Sequence, residues 1–178
     1  MPPPKPSHTR GPARTLEPPA YEAPKPEDGA ELWRMARDSG TLDLNSPYMY
    51  LLGASHFAET SVIARLAGQP AGFVLGYRPP DAPDTLFVWQ VAVDRAHRGR
   101  RLANGMLSAL VERHRPRYLE ASVTPDNHAS AALFSGFARH AGAPLDDTRV
   151  LFDAHHFPDD GAHEPEVLYR IGPLPSHP

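Results

Sequence analysis

Apolar positions first recur at helical spacing near the N-terminus, at Leu32, Met35 and Ala36. This pattern predicts a helix that starts at Asp28 and stops at Gly40. Ser46-Pro47 is a favoured helix start, with Ser at the N-cap and Pro in the first turn, and predicts a second helix whose face carries Tyr48, Leu51, Leu52 and Ser55. The period then changes. Ser61–Leu66 and Ala71–Arg78 are rich in β-branched and apolar residues, and Gly68-Gln69-Pro70 between them predicts a turn, so the pair reads as a hairpin. Leu86–Val93 is the strongest strand of the chain. Leu102–His114 returns to helical spacing, with Leu102, Met106, Leu110 and Val111 on one stripe and Pro116 beyond its end. Tyr118–Val123 alternates, placing Leu119, Ala121 and Val123 on one face and Glu120 and Ser122 on the other. Asn127–Arg139 reads as a helix, and Arg149–Asp153 and Val167–Arg170 as strands. Strand hairpins that precede a β–α–β crossover predict an α/β fold: a mixed, mostly antiparallel sheet flanked by helices on both faces.

Composition narrows this picture. The chain has 178 residues, enough for one sizeable core. A net charge of −3 gives no broad basic surface, so nucleic acid is not an expected partner. No cysteine is present, which removes disulfides and thiol catalysis. No apolar run approaches the length needed to cross a bilayer, and no secretory signal is visible, so no membrane partner is expected. Proline is concentrated at the start, and residues 1–19 are expected to be a disordered Pro-rich tail, apart from a short strand around Tyr21–Ala23 just beyond it. Residues 20–178 then form the single folded domain.

The segment after the strongest strand carries the clearest chemistry. Val91, Ala92 and Val93 lead into Arg98-Gly99-Arg100-Arg101-Leu102-Ala103, a strand, a loop and a helix start. A helix N-terminus offers unpaired N–H groups and partial positive charge, to which a pyrophosphate can bind. Gly99 and Ala103 are small enough to admit it, and Arg98, Arg100 and Arg101 add charge. A solvated cluster of charge is the alternative reading of the same residues.

This loop resembles the acetyl-CoA loop of GNAT acetyltransferases, Arg/Gln-x-x-Gly-x-Gly/Ala, with Arg101 standing where the middle Gly is usual. Val123-Thr124-Pro125-Asp126-Asn127, followed by Ala129, Leu133, Phe134, Gly136 and Phe137, resembles the family's second motif. The resemblance implies a GNAT fold, acetyl-CoA as cosubstrate and no metal. It also implies that the strands ending at Val93 and Val123 splay around the pantetheine arm, with the Val91 N–H polarising the thioester carbonyl. Asn127 is either a helix cap or a cofactor contact, or both. Phe134 stands where many members place a Tyr that protonates the departing thiolate. Either another donor such as Tyr48 or water replaces it, or the thiolate leaves unprotonated.

Over roughly residues 20–174, Leu42–Tyr48, Phe87–Val93, Gly72–Pro80 and the stretch His163 to Ile171 resemble the diaminobutyrate acetyltransferases of ectoine biosynthesis. That resemblance implies transfer of acetyl to the 4-amino group of L-2,4-diaminobutyrate, in a cytoplasmic homodimer. Such a substrate needs carboxylates for its ammonium groups and a donor for its own carboxylate. Asp43, in a loop before a helix, suits the α-ammonium, the alternative being a helix-entry cap. Glu120 suits the general base, the alternative being an exposed edge-strand charge. Tyr48 is either a substrate contact or core packing. Trp89 walls the pocket, Thr124 suits the substrate carboxylate, and His163 or His156 suits the pocket. His155, His156, Asp159, Asp160 and His163 match no strong metal spacing. Two other functions compete: a GNAT enzyme for another small amine, and a non-catalytic acyl-CoA-binding module.

Overall fold

The computed structural model describes residues 17–158 and 163–175. Most of the proline-rich tail, residues 1–16, lies outside the described residues, as do Asp159 and Asp160. The chain enters the sheet at residue 20. The elements run β1 (Ala20–Glu22), α1 (Gly29–Ser39), α2 (Pro47–Gly53), β2 (Val62–Leu66), β3 (Gln69–Tyr77), β4 (Thr85–Val93), α3 (Leu102–His114), β5 (Tyr118–Val123), α4 (His128–Ala141), β6 (Leu145–Phe152) and β7 (Glu166–Ile171).

They build one sheet in the order β1-β2-β3-β4-β5-β7-β6. Every neighbouring pair is antiparallel except β4 and β5. That single parallel pair follows from α3, whose crossover returns the chain in the same direction. Alternation divides the core between the two faces. Ile63, Phe73, Leu75 and Ala92 pack under Leu32, Met35 and Tyr50 from α1 and α2. Val62, Val74, Leu86 and Leu119 pack under Met106, Leu110 and Phe137 from α3 and α4. Each such side chain, fully withdrawn from water, contributes roughly 1.5–3 kcal/mol.

Several local expectations are corrected. The face of α2 that enters the core carries Tyr50 and Gly53, while Tyr48 and Leu51 are exposed. The helix is under two turns long, so a stripe of apolar residues does not fix its orientation; packing of Tyr50 edge-on to Phe73 does. The β2–β3 turn centres on Ala67-Gly68, both at positive φ, and Gln69 and Pro70 belong to β3. Two left-handed residues match the twist of a hairpin. β6 begins at Leu145, four residues before the expected start. Asp28 precedes α1 but gives it no side-chain cap; its carboxylate accepts from the Lys25 N–H and from Arg65 Nη2, each at 2.9 Å. Ser46 caps α2 through its main-chain carbonyl alone, which accepts from the Met49 N–H at 3.0 Å.

Candidate active site

The site begins with a break in the sheet. β4 and β5 pair from Thr85↔Tyr118 to Val88↔Ala121 and then part, although both strands continue. At the same level, Gly76 pairs with Val88 and Leu75 with Gln90, so Trp89 is an extra residue in β4. A bulge of this kind bends its strand and ends local pairing. The opened strands leave a cleft of about 790 Å³. One wall is Val88–Val91, another Ala121–Thr124, a third the first turns of α4 with Asn127, Ser130 and Phe134, and the rim is formed by Gly40–Asp43, Asn45, His163, Glu164 and Glu166.

The direction of the β4 backbone decides what the cleft can bind. The Asp94 N–H donates to Ala71 O on the β3 side at 2.9 Å. Backbone groups alternate along a strand, so the N–H groups of Ala92 and Gln90 share that direction. Those of Val91 and Val93 then point into the gap that β5 has vacated. A free N–H inside a narrow cleft is a donor for a polarised carbonyl oxygen.

At the end of the cleft, Val93 leads through Asp94 into the loop before α3. The Asp94 carboxylate caps this turn by accepting from the Ala96 N–H at 3.0 Å. It also accepts from Arg34 Nη2 at 2.9 Å, and both bonds hold it below the usual carboxylate range, the one from Ala96 most. Gly99 takes φ +77°, a left-handed conformation that glycine adopts without strain. Arg101 takes φ 59° and precedes the first turn of α3. A left-handed residue with a Cβ costs about 1 kcal/mol. The resemblance puts a Gly here, and the backbone retains the conformation a Gly would favour. Arg101→Gly is therefore expected to raise the thermal midpoint of the coenzyme-free protein by a few degrees in calorimetry. Arg100 and Arg101 are exposed, and Arg98 turns its Nε to the Val93 carbonyl at 3.4 Å. The first-turn N–H groups of α3, at Leu102 and Ala103, have no earlier helical carbonyl to bond. These residues fit a coenzyme A pyrophosphate.

The rim fits a cation. Four carboxylates, Asp43, Asp126, Glu164 and Glu166, line the cleft, with no lysine or arginine among its described lining residues. The Asp43 carboxylate is 88% exposed and meets His163 Nε2 at 3.5 Å. The His163 ring stacks on Phe157 at 3.7 Å between centroids, and its Nδ1 donates to the Glu164 carbonyl at 2.6 Å. That bond above all raises the His163 pKa; burial, the next largest influence, opposes it, and the contact with Asp43 and the Asp43 and Glu166 charges add to the rise. Thr124 donates its hydroxyl to Asp126 at 2.6 Å, and the Asp126 N–H donates to Glu164 at 3.3 Å. Asn127 accepts from the Ser130 N–H at 3.1 Å as the cap of α4 and also lines the cleft.

The sequence-predicted residues therefore divide. Asp43, Trp89, Val91, Thr124, Asn127, Phe134 and His163 meet in one cleft. Ala92 lies in the core, and Val93 leads to the phosphate loop. Two placements depart from expectation. Tyr48 is 65% exposed and does not line the cleft. Glu120 is 9% exposed on the expected face of β5, but it lies outside the cleft lining, and its carboxylate accepts from Arg170, opposite it on β7. The Arg170 guanidinium thus occupies the carboxylate that a substrate amine would have to reach. Asp153, His155 and His156 offer ligand atoms within 4.8 Å of one another, yet His156 Nδ1 already accepts from the Asp153 N–H at 3.0 Å. Gln90, Asp126, Glu164 and Glu166 were missed. Gln90 had a signal, being the sole amide side chain in the apolar run Leu86–Val93.

An open β4–β5 pair beside a helix N-terminus that suits a pyrophosphate defines a class of acyl-CoA-dependent transferase, and comparison agrees. The family described as Acetyltransferase (GNAT) matches residues 16–137, and this chain belongs to that family. Within it, the protein is a member of the L-2,4-diaminobutyric acid acetyltransferase branch. It is 55% identical over 158 residues to the L-2,4-diaminobutyric acid acetyltransferase of Streptomyces coelicolor, covering 86% of this chain and 92% of that one. The Marinococcus halophilus enzyme of the same name is 44% identical over 157 residues, covering 86% and 90%. Among solved structures, diaminobutyrate acetyltransferase from Paenibacillus lautus, in complex with L-2,4-diaminobutyric acid and coenzyme A, superposes with a TM-score of 0.82 at 41% identity, covering 90% of this chain and 98% of that one. Among the described residues, no helix is long and apolar enough to cross a membrane.

Proposed function

We propose that this protein transfers the acetyl group of acetyl-CoA to the 4-amino group of L-2,4-diaminobutyrate, giving the N4-acetyl product that ectoine biosynthesis requires. The observation that carries the reading is the pairing of an acyl-CoA cleft with a rim of four carboxylates. The acceptor is a small dication with one carboxylate. Asp43 takes its α-ammonium. The N-terminal turn of α4, with Asn127 and His128 at the cleft, offers positive potential to its carboxylate, because the Thr124 hydroxyl is already committed to Asp126.

The 4-amine must lose a proton before it attacks. His163, Glu164 and Glu166 are the acceptors the cleft provides in place of Glu120. The neutral amine adds to the thioester carbonyl, and the Val91 N–H stabilises the oxyanion that forms. Collapse breaks the carbon–sulfur bond and releases coenzyme A thiolate, and the nitrogen, cationic after attack, gives up its extra proton to water as the amide forms. Phe134 supplies no proton, so the thiolate takes one from water or leaves as the anion. A homodimer in the cytoplasm completes the reading; β6 is an outer strand of the sheet and exposes Val150 and Phe152.

A panel of amines tests the substrate, with free thiol followed after mixing with acetyl-CoA. Diaminobutyrate is expected to give the highest kcat/KM. It should exceed 2-aminobutyrate, which lacks the second amine, and 1,3-diaminopropane, which lacks the carboxylate, each by tenfold or more. Preference for a peptide N-terminus would overturn the reading.

The raised His163 pKa adds a pH dependence. Below it, His163 is cationic and competes with the substrate ammonium for Asp43. As pH rises through that raised pKa, the imidazole becomes neutral and Asp43 is released. KM for diaminobutyrate is expected to fall across that window while KM for acetyl-CoA stays level, and His163→Gln should remove the step. Stability runs the other way: the His163–Asp43 contribution is full below the unfolded-state pKa and is lost as pH rises through the folded one.

A further inference from the structure

Gln90 is an anomaly in its strand. It is 5% exposed, on the face of β4 that otherwise contributes Ala92 to the apolar cluster of Phe73, Leu75 and Tyr50. An amide buried there costs free energy that an apolar residue would not. Its Nε2 donates to the Asp43 main-chain carbonyl at 2.9 Å, and its Oε1 is buried with no partner among the described residues. The reverse orientation of the amide would set Oε1 against the Asp43 carbonyl, so the arrangement is chemically determined. The side chain thus gives up one hydrogen bond in order to make the other.

What it holds explains why. Among the described residues, the Asp43 carboxylate has no hydrogen-bonding anchor of its own apart from its 3.5 Å approach to His163. Its position over the cleft is set by its main chain. Asn45 Nδ2 reaches the same carbonyl at a longer 3.3 Å from within the loop itself, and Ser39 Oγ accepts from the Leu42 N–H at 3.2 Å. Leu42 packs this loop against the sheet, and among the described residues Gln90 supplies its side-chain hydrogen bond from β4, beside the Trp89 bulge that opens the cleft.

We propose that Gln90 is a positioning residue for the amine acceptor: by holding the Asp43 carbonyl from β4, it fixes the Asp43 carboxylate at the height and angle at which the substrate ammonium is bound. This rests on the reading of Asp43 as an ammonium site.

Four measurements on the full-length enzyme test it. Gln90→Met keeps the length and removes the donor. It is expected to raise KM for diaminobutyrate about tenfold, with kcat changed less than threefold and KM for acetyl-CoA unchanged. In a double-mutant cycle with Asp43→Ala, the Met substitution should add little to the loss already caused, because the group it positions is gone. Gln90→Glu donates only when protonated. Its KM, as a ratio to wild type at each pH, should approach one on acidification and grow as pH rises. Hydrogen exchange of residues 41–45 in acceptor-free Gln90→Met should quicken; this readout needs no substrate and so separates the tether from the identity of the acceptor. Additive effects in the cycle, equal losses for acetyl-CoA, or unchanged exchange in the loop would each overturn the proposal. A wild-type enzyme inactive on diaminobutyrate, with the loop still loosened by Gln90→Met, would instead refute the substrate and leave the tether standing.

Discussion

Val91→Pro is expected to lower kcat by about 10²–10³ while coenzyme A still binds, because it deletes a single hydrogen-bond donor aimed at the developing oxyanion. Proline in a sheet usually breaks a ladder bond. Here it need not, because the Asp94 N–H bonds to β3, and the Val91 N–H, three residues away and so on the opposite side of the strand, points into the gap instead. The partner that would have used that N–H is absent, since β5 leaves the pairing after Ala121. Coenzyme titration by calorimetry and single-turnover acetyl transfer separate binding from chemistry. A variant that binds coenzyme A normally and turns over at the wild-type rate would show that the oxyanion is held elsewhere. Val91→Ala, which keeps the N–H, is the control and should retain most of the rate.

Asp43→Ala is expected to raise KM for diaminobutyrate by about 10- to 150-fold, the loss of a charge-assisted bond of roughly 1.5–3 kcal/mol. The carboxylate is 88% exposed without a substrate, so the fold does not depend on it. Its contact with His163 is exposed and contributes little to stability. A thermal midpoint within a degree or two of wild type should therefore accompany the kinetic loss. Asp43→Asn, which keeps the shape, should fall between the two. If Asp43→Ala destabilised the protein and left KM unchanged, Asp43 would be a structural residue of the loop.

Much of the fold was legible because period and punctuation agree over long stretches. Leu102–His114 and Tyr118–Val123 carry unambiguous helical and alternating patterns, and both occupy the expected residues. The orientation of α2 was not legible, because seven residues satisfy several faces equally and only contact with Phe73 selects Tyr50. The bulge at Trp89 leaves no mark in composition, since it is a mismatch of register between two strands. In the site, the alternation of β5 correctly turned Glu120 away from Leu119 and Ala121. Its fate was decided by Arg170, fifty residues later in the chain and opposite it in the sheet. Local pattern places a side chain on a face, whereas long-range pairing decides what it meets there. Glu164 and Glu166 escaped notice for the same reason, reaching the cleft only because β7 pairs with β5.

The central claim is that the carboxylate rim presents the far amine of a small diamino acid to the thioester. Its most direct test is the position of the acetyl group after reaction of L-2,4-diaminobutyrate with acetyl-CoA, read from carbon–proton correlations by NMR. Acetyl on N4, with one equivalent of free thiol, is the predicted result. Acetyl on N2, or thiol release without any acetylated diaminobutyrate, would contradict it.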